Sequence, residues 1–543
     1  MRRIAIIGGG IAGLTAACEL ARLARDGAQI EAVLFEPSHR FGGLIETVRE
    51  GGFTVECGPD GWVSAKPWAA ELAAELGLAD EIIPSNDASR KTHIFLATPE
   101  NPSGRLVPMP DGLNMMVPTN LDALDGSPLF TESAIAAYRA EPARAASLLA
   151  SIPTHDESVA DFTLRHFGRE VLDRVAAPLL SGVFGGDVRT LSVRAVLPAF
   201  VQMERTHGSL ITALQRTTDN EQRSTPVFTT LRSGLGILID RLIAAIPPPW
   251  LRLHTTVTEI RSNAPDTPPW TVHTSTTAKH FASESFDAIF LATPLDTTRK
   301  LLAPIDSAAA QLLPTESSSA VLVAFAYTDA SRVPLPPGFG LLVPPNPSEM
   351  SSSRPVTEMG APHLGVPGEL ARRGERLASE MWVSTKSPSL LLACTFVDQK
   401  FPHRVPPNGR LIRAFFGGAA AERIARCNND EIAAIARLEL ARILNTTPVR
   451  HPDRSAAEWR DPRISHLELP APAPAPVPAL TVIRRWPNSL PQYAVGHLDR
   501  VAELESRLRA HPGLTLLGNA LHGVGIPDLI RAARTAARMQ TDN

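Results

Sequence analysis

Two rhythms of apolar and polar positions alternate along the chain. Arg3-Ile4-Ala5-Ile6-Ile7 is a short apolar run rich in β-branched residues and predicts a buried strand. Gly8-Gly9-Gly10-Ile11-Ala12-Gly13 follows, and Leu14 to Ala24 then predict a helix. Ile30 to Phe35 predict a second strand ending at Glu36, and Gly52 to Glu56 predict a further one that stops at Cys57-Gly58-Pro59-Asp60. A helix is expected over Pro67 to Leu78. Thr92 to Leu96 and Arg105 to Val107 read as a strand pair around a Pro/Gly/Ser loop. Helical patterns dominate from about Pro110 to Leu214. Asp156-Glu157-Ser158 starts one of them, whose face carries Val159, Phe162, Phe167, Val171 and Val175. Leu231-Arg232-Ser233-Gly234-Leu235 leads into another helix. Phe286 to Pro294 predict a buried strand that rejoins the first sheet. Leu514 to Ala520 predict a strand and turn, followed by Gly523-Val524-Gly525-Ile526-Pro527-Asp528 and a helix to about Met539.

Composition narrows the class. The 543 residues suggest several domains, and 44 % hydrophobic content is enough for a large core rather than a disordered chain. Lys plus Arg number 53 against 56 Asp plus Glu, so the charge of −3 gives no electrostatic footprint for nucleic acid. Cys18, Cys57, Cys394 and Cys427 lie far apart without ligand spacing, which argues against a disulfide framework or a zinc site. No apolar run approaches the ~18 residues of a transmembrane helix, and no signal-like segment opens the chain; a cytoplasmic protein is expected. The 49 prolines predict long loops. Residues 347–389, rich in Ser, Pro and Gly, and the proline/alanine alternation over 470–478 read as surface insertions, the second a stiff polyproline-like linker.

The opening glycines carry the first chemistry. In G-x-G-x-x-G, Gly8 allows a tight turn, Gly10 lets backbone approach a pyrophosphate, and Gly13 lets helix and strand pack closely. The helix N-terminus then faces phosphate. Glu36 follows Gly13 at the distance expected of the acid that binds a ribose diol. A glycine turn alone is weak evidence, but strand, glycines, helix, strand and acid arrive in the order a dinucleotide requires. Beyond the acid, Arg40-Phe41-Gly42-Gly43 adds a cation and two flexible residues. This arrangement resembles the glutathione-reductase-like flavoproteins, in which such a segment lies along the FAD pyrophosphate. The proline-led helix after Gly525 should present its positive end to something: to the flavin's pyrimidine edge, where its dipole would stabilise negative charge, or to a surface turn that it merely caps.

Longer motifs sharpen the resemblance. Arg485-Trp486, Leu490-Pro491-Gln492-Tyr493-Ala494-Val495-Gly496-His497 and Gly518-Asn519 with Gly523 to Asp528 are similar to segments of the oxygen-dependent protoporphyrinogen oxidases, whose bacterial relatives act on coproporphyrinogen. Gly58-Pro59-Asp60 with Lys66-Pro67, Pro178 to Asp187, Leu191-Ser192, Phe339 to Pro344 and Leu411 to Gly418 extend the match over nearly the whole chain outside the two insertions.

The resemblance implies an FAD-dependent, six-electron oxidation of a porphyrinogen to a porphyrin in late haem synthesis, with molecular oxygen as acceptor and hydrogen peroxide as by-product. It implies an α/β fold: a Rossmann-type (glutathione-reductase-like) FAD domain, an antiparallel-sheet substrate domain, and an α-helical membrane-docking domain. The expected divisions are 1–90, 225–300 and 484–543 for FAD, 91–112 and 301–483 for substrate, and 113–224 for the helices. FAD, bound non-covalently, would touch Gly8, Gly10, Gly13, Glu36, Arg40, Gly43, Gly58, Val257, Trp486, Val524, Gly525, Ile526 and Pro527. Substrate would meet Gly182, Phe339, Gly340, Leu342 and Thr395. No catalytic side chain or metal is expected, since the flavin carries the chemistry. Further partners implied are oxygen, the next haem-pathway enzyme and a membrane face, with a homodimer left open.

One departure stands out. Plant and animal members carry a propionate-binding arginine where this chain has about Thr92 or His93; Arg90 and Lys91 upstream, and Lys66, are the replacement candidates. Both protoporphyrinogen and coproporphyrinogen therefore remain. Leu113, Met115, Met116 and Val117 are the expected apolar docking patch, with burial in a helical core as the alternative. Competing functions are another FAD amine-oxidase-like oxidase or desaturase, and a non-catalytic binding protein of the Rab escort type. The first would call for an aromatic cage that 5 % aromatics support poorly, and the second would tolerate worn glycines, whereas these are intact.

Overall fold

The computed structural model describes residues 1–98, 101, 103–218, 226–263, 269–276, 278–345, 389–444 and 476–541. Most of the two expected insertions, 347–389 and 470–478, lies outside the described residues. The first sheet is parallel throughout, in the order Leu251–Arg252, Ile30–Phe35, Arg2–Ile7, Ala288–Leu291, Leu514–Leu516. Its central strands are continuous apolar runs because both faces are covered. Helices Ile11–Arg25, Gly236–Ala245 and Ile526–Arg538 pack on one face. The antiparallel strands Thr255–Ser262, Trp270–Thr276 and Phe281–Phe286 contribute Val257, Ile260, Trp270 and Phe286 to the other.

The second large sheet runs Leu480–Pro491, Ser317–Tyr327, Arg410–Gly417, Ala393–Phe396, Gly340–Leu342, Thr92–Leu96, Arg105–Pro108. It is antiparallel, as expected, at every strand pair but one, where Gly340–Leu342 runs parallel to Thr92–Leu96. Those two strands come from distant parts of the chain, so no hairpin dictates their relative direction.

The helical stretch also begins later than its pattern suggested. Between 110 and 130 the chain forms a small hairpin, Leu113–Asn114 with Val117–Pro118, and a short 3-10 turn at Asp122–Leu124, and the first α-helix there is Glu132–Ala140. Pro110, Gly112, Pro118, Gly126 and Pro128 break the apolar rhythm before a helix can propagate. Of the four residues expected to form the docking patch, Met116 and Val117 are fully buried in the helical core, whereas Leu113 and Met115 are half-buried. No helix among the described residues is long and apolar enough to cross a membrane. Inside this unit His166 has no exposure and lies 3.0 Å from both Glu141 and Glu204. Burial opposes its charge, but the two carboxylates outweigh that and raise its pKa.

Candidate active site

The glycines of the opening turn divide by what a side chain would meet. A Cβ at Gly8, which has φ of +109°, would strike the Ala292 carbonyl oxygen, and one at Gly13 would strike the Gly8 carbonyl oxygen. These two are required by close packing. A Cβ at Gly10 would meet nothing within 4 Å, so backbone there borders open space. The Arg40 segment lies alongside, with the Gly42 N–H donating to the Gly9 carbonyl at 2.8 Å. Gly43 is so close that its Cβ would sit 3.2 Å from the Gly10 Cα. Arg40 itself braces this loop, donating to the carbonyls of Phe41, Gly43 and Ile45. Glu36 ends its strand by accepting from the Gly9 and Ser38 N–H groups at 2.8 and 2.9 Å.

The last helix opens on the same side. In a parallel sheet, helices that follow their strands all begin at the carboxyl edge. Ile11–Arg25 and Ile526–Arg538 both do so, and they pack side by side. The N–H groups of Val524, Gly525 and Ile526 have no acceptor among the described residues. Open backbone at Gly10, uncommitted donors at 524–526 and a carboxylate at the second strand's end fit a dinucleotide cofactor. Val257 is buried two residues beyond Thr255, whose N–H donates to the Glu36 carbonyl at 3.0 Å. Trp486 is half-buried on strand Leu480–Pro491, and Gly58 packs so tightly that a Cβ would hit the Leu44 carbonyl.

Across from this edge, one row of the second sheet places Thr92, Gly340, Thr395, Arg413 and Ala324 as successive register partners. Row partners face the same way. Leu342 reaches the helix Ala177–Phe184, where a Cβ at Gly182 would lie 3.1 Å from its Cδ2. Phe339 is buried and bonds to the Lys91 carbonyl through its N–H at 2.7 Å. Thus Gly182, Gly340, Leu342 and Thr395 come together, while Arg90 and Lys91 stand exposed at the end of the Thr92 strand. Lys66 is committed elsewhere, at 2.7 Å from Asp528. Cys394 beside Thr395 is no nucleophile, because burial pushes its thiol up.

Sequence reading missed a buried ionic cluster where the segment 53–60 meets the second sheet. Arg413 donates to the Gly58 carbonyl and lies 3.2 Å from Asp60. Lys400 reaches the same carboxylate at 3.1 Å, and Arg404 pairs with Glu56 at 2.6 Å. Burial alone would raise the Asp60 carboxyl, but the Lys400 and Arg413 charges outweigh it and hold it at about 2. The available signal was an isolated arginine inside the apolar strand Leu411-Ile412-Arg413-Ala414-Phe415-Phe416, since a lone charge in such a run needs a buried partner.

Comparison with known proteins places the chain in a family. Residues 11–539 match the family described as flavin containing amine oxidoreductase. The chain is 26 % identical to the coproporphyrinogen III oxidase of Bacillus subtilis (strain 168), over 98 % of this chain and 97 % of the relative. It is 25 % identical to the chloroplastic protoporphyrinogen oxidase 1 of Spinacia oleracea, over 99 % and 84 %. A crystal structure from Exiguobacterium sp. 255-15, provisionally named a protoporphyrinogen oxidase, superposes with a TM-score of 0.73 at 26 % identity, covering 99 % of this chain and 98 % of that one. The chain belongs to the flavin containing amine oxidoreductase family.

Proposed function

We propose that the chain is an FAD-dependent porphyrinogen oxidase of haem biosynthesis, acting on coproporphyrinogen III ahead of protoporphyrinogen IX, with oxygen as acceptor. One observation carries the reading: the open backbone at Gly10 and the free donors at 524–526 share one sheet edge. The names of the Bacillus subtilis and spinach relatives support the substrate class, and the bacterial one supports the order of preference.

In this reading residues 1–90, 225–300 and 484–543 form the FAD domain, 91–112 and 301–483 the substrate domain, and 113–224 the helical one. Gly8 and Gly13 set the turn, Gly10 and Gly43 border the pyrophosphate, Glu36 takes the ribose, and Arg40 holds the loop in shape. Gly58, Val257, Trp486 and the 524–527 turn complete the cradle. When bound, FAD supplies the acceptor for hydride leaving the porphyrinogen ring. Gly182, Leu342, Phe339 and the Gly340–Thr395 row would present apolar walls to the flat substrate and exclude water. Arg90 and Lys91, exposed at the edge of that row, would receive propionates. The backbone N–H groups of Val524 to Ile526 would hold the reduced cofactor by favouring negative charge beside them.

Fluorescence-detected turnover of both porphyrinogens by one FAD-loaded preparation tests the proposal. Faster appearance of coproporphyrin is expected. A reversed ratio overturns the preference, and no porphyrin from either substrate overturns the activity.

A further inference from the structure

We infer that Lys66 sets the reduction potential of the bound flavin by neutralising Asp528 at the start of the last helix. The inference rests on the cofactor reading above and adds a role for a pair which that reading leaves unused. Asp528 occupies the first turn of helix Ile526–Arg538 and is buried against the Gly523 turn, where a Cβ on Gly523 would lie 2.7 Å from its carboxyl carbon. A carboxylate at that point takes the positive end of the helix for itself. Left alone, it would cancel the field that the 524–526 N–H groups offer to an electron-rich ring.

Lys66 answers that charge from a different element. Its Nζ lies 2.9 and 2.7 Å from the two Asp528 oxygens, although the residues are far apart in sequence. The ammonium restores the positive balance at the helix start. This contact is the first of three ties along one helix pair. Farther on, Arg531 stacks over Trp68 at 4.5 Å, and Arg534 meets Glu75 at 2.8 Å. The latter two hold helix Trp68–Glu75 against the last helix well beyond its start. The three therefore separate by position: only Lys66–Asp528 lies where charge reaches the cofactor, and Glu75–Arg534 serves as a matched structural control.

The test is anaerobic spectral titration of the FAD-loaded protein against dyes of known potential. Lys66→Met should lower the potential so that the reduced-to-oxidised ratio at fixed dye poise falls about tenfold, about 30 mV for a two-electron couple. Lys66→Arg should restore the wild-type value. Asp528→Asn should raise the potential, and adding it to Lys66→Met should bring the potential back toward wild type. Glu75→Gln should leave it unchanged. Lys66 is 46 % exposed, so its substitution leaves the core intact. An unchanged potential in Lys66→Met, or a fall of equal size in Glu75→Gln, overturns the inference alone. A wild-type protein that takes up no FAD overturns the cofactor reading and this inference together.

Discussion

Arg404→Met is the sharpest test of the buried ionic cluster around Glu56 and Asp60. Arg404 has no exposure and donates to Glu56 at 2.6 Å, to the Thr230 hydroxyl at 2.7 Å and to the Leu231 carbonyl at 3.3 Å. Methionine fills much of the volume but leaves Glu56 as a buried anion. Removing one partner of a buried pair costs about 3–5 kcal/mol. Glu56 keeps the Leu235 N–H at 2.7 Å and the Thr47 hydroxyl at 2.8 Å, so the lower end, about 3 kcal/mol, is expected. At roughly 2.1 cal/mol/K per residue, that lowers Tm by about 3 °C if the chain unfolds as one unit. Adding Glu56→Gln removes the stranded charge, so the double variant should be more stable than the sum of the single losses by about 1–3 kcal/mol. Urea unfolding of the four proteins measures this. A loss below about 1 kcal/mol in Arg404→Met, or strict additivity, would refute the reasoning.

Three further outcomes are expected. Gly10→Val should fold with near-wild-type Tm yet lose flavin absorbance on purification, because its side chain enters open space, whereas Gly13→Val should lose both, because its Cβ meets the Gly8 carbonyl. Acid should destabilise the cluster: the Asp60 pKa is lowered to about 2 from a usual value near ~3.9, so its contribution is present above the usual value and is lost as pH falls toward 2. An acid-unfolding curve as steep in Asp60→Asn as in wild type would contradict that. His166 has the opposite sign: its pKa is raised, so its contribution is full below about 6.5 and is lost as pH rises through the folded value. His166→Gln should flatten the stability profile on that alkaline side, as read by thermal unfolding across pH.

The nucleotide-binding framework was legible because its signals are local. The strand–glycine–helix opening, Ile30 to Phe35 and the return of Phe286 to Pro294 to the first sheet follow from apolar runs and the glycines that bound them. Ser158 caps its helix as its spacing suggested, through the Asp161 N–H at 3.0 Å. What the sequence concealed depends on contacts across hundreds of residues. The parallel pairing of Gly340–Leu342 with Thr92–Leu96, the union of Asp60 with Lys400 and Arg413, and the capture of Lys66 by Asp528 have no periodic signature. Lys66 read as a propionate candidate since a lysine beside a glycine turn looks free until its partner is known. Whether Met116 and Val117 form a surface patch or a buried core stays open in the sequence, since hydropathy alone does not distinguish a buried hairpin from an exposed one.

Anaerobic mixing of the FAD-loaded protein with coproporphyrinogen III bears most directly on the central claim, a flavin held between the glycine turn and the last helix and open to the sheet row beside it. Loss of the oxidised-flavin absorbance band in step with the appearance of porphyrin fluorescence is the predicted result. A flavin that stays oxidised in the presence of excess porphyrinogen would contradict the account.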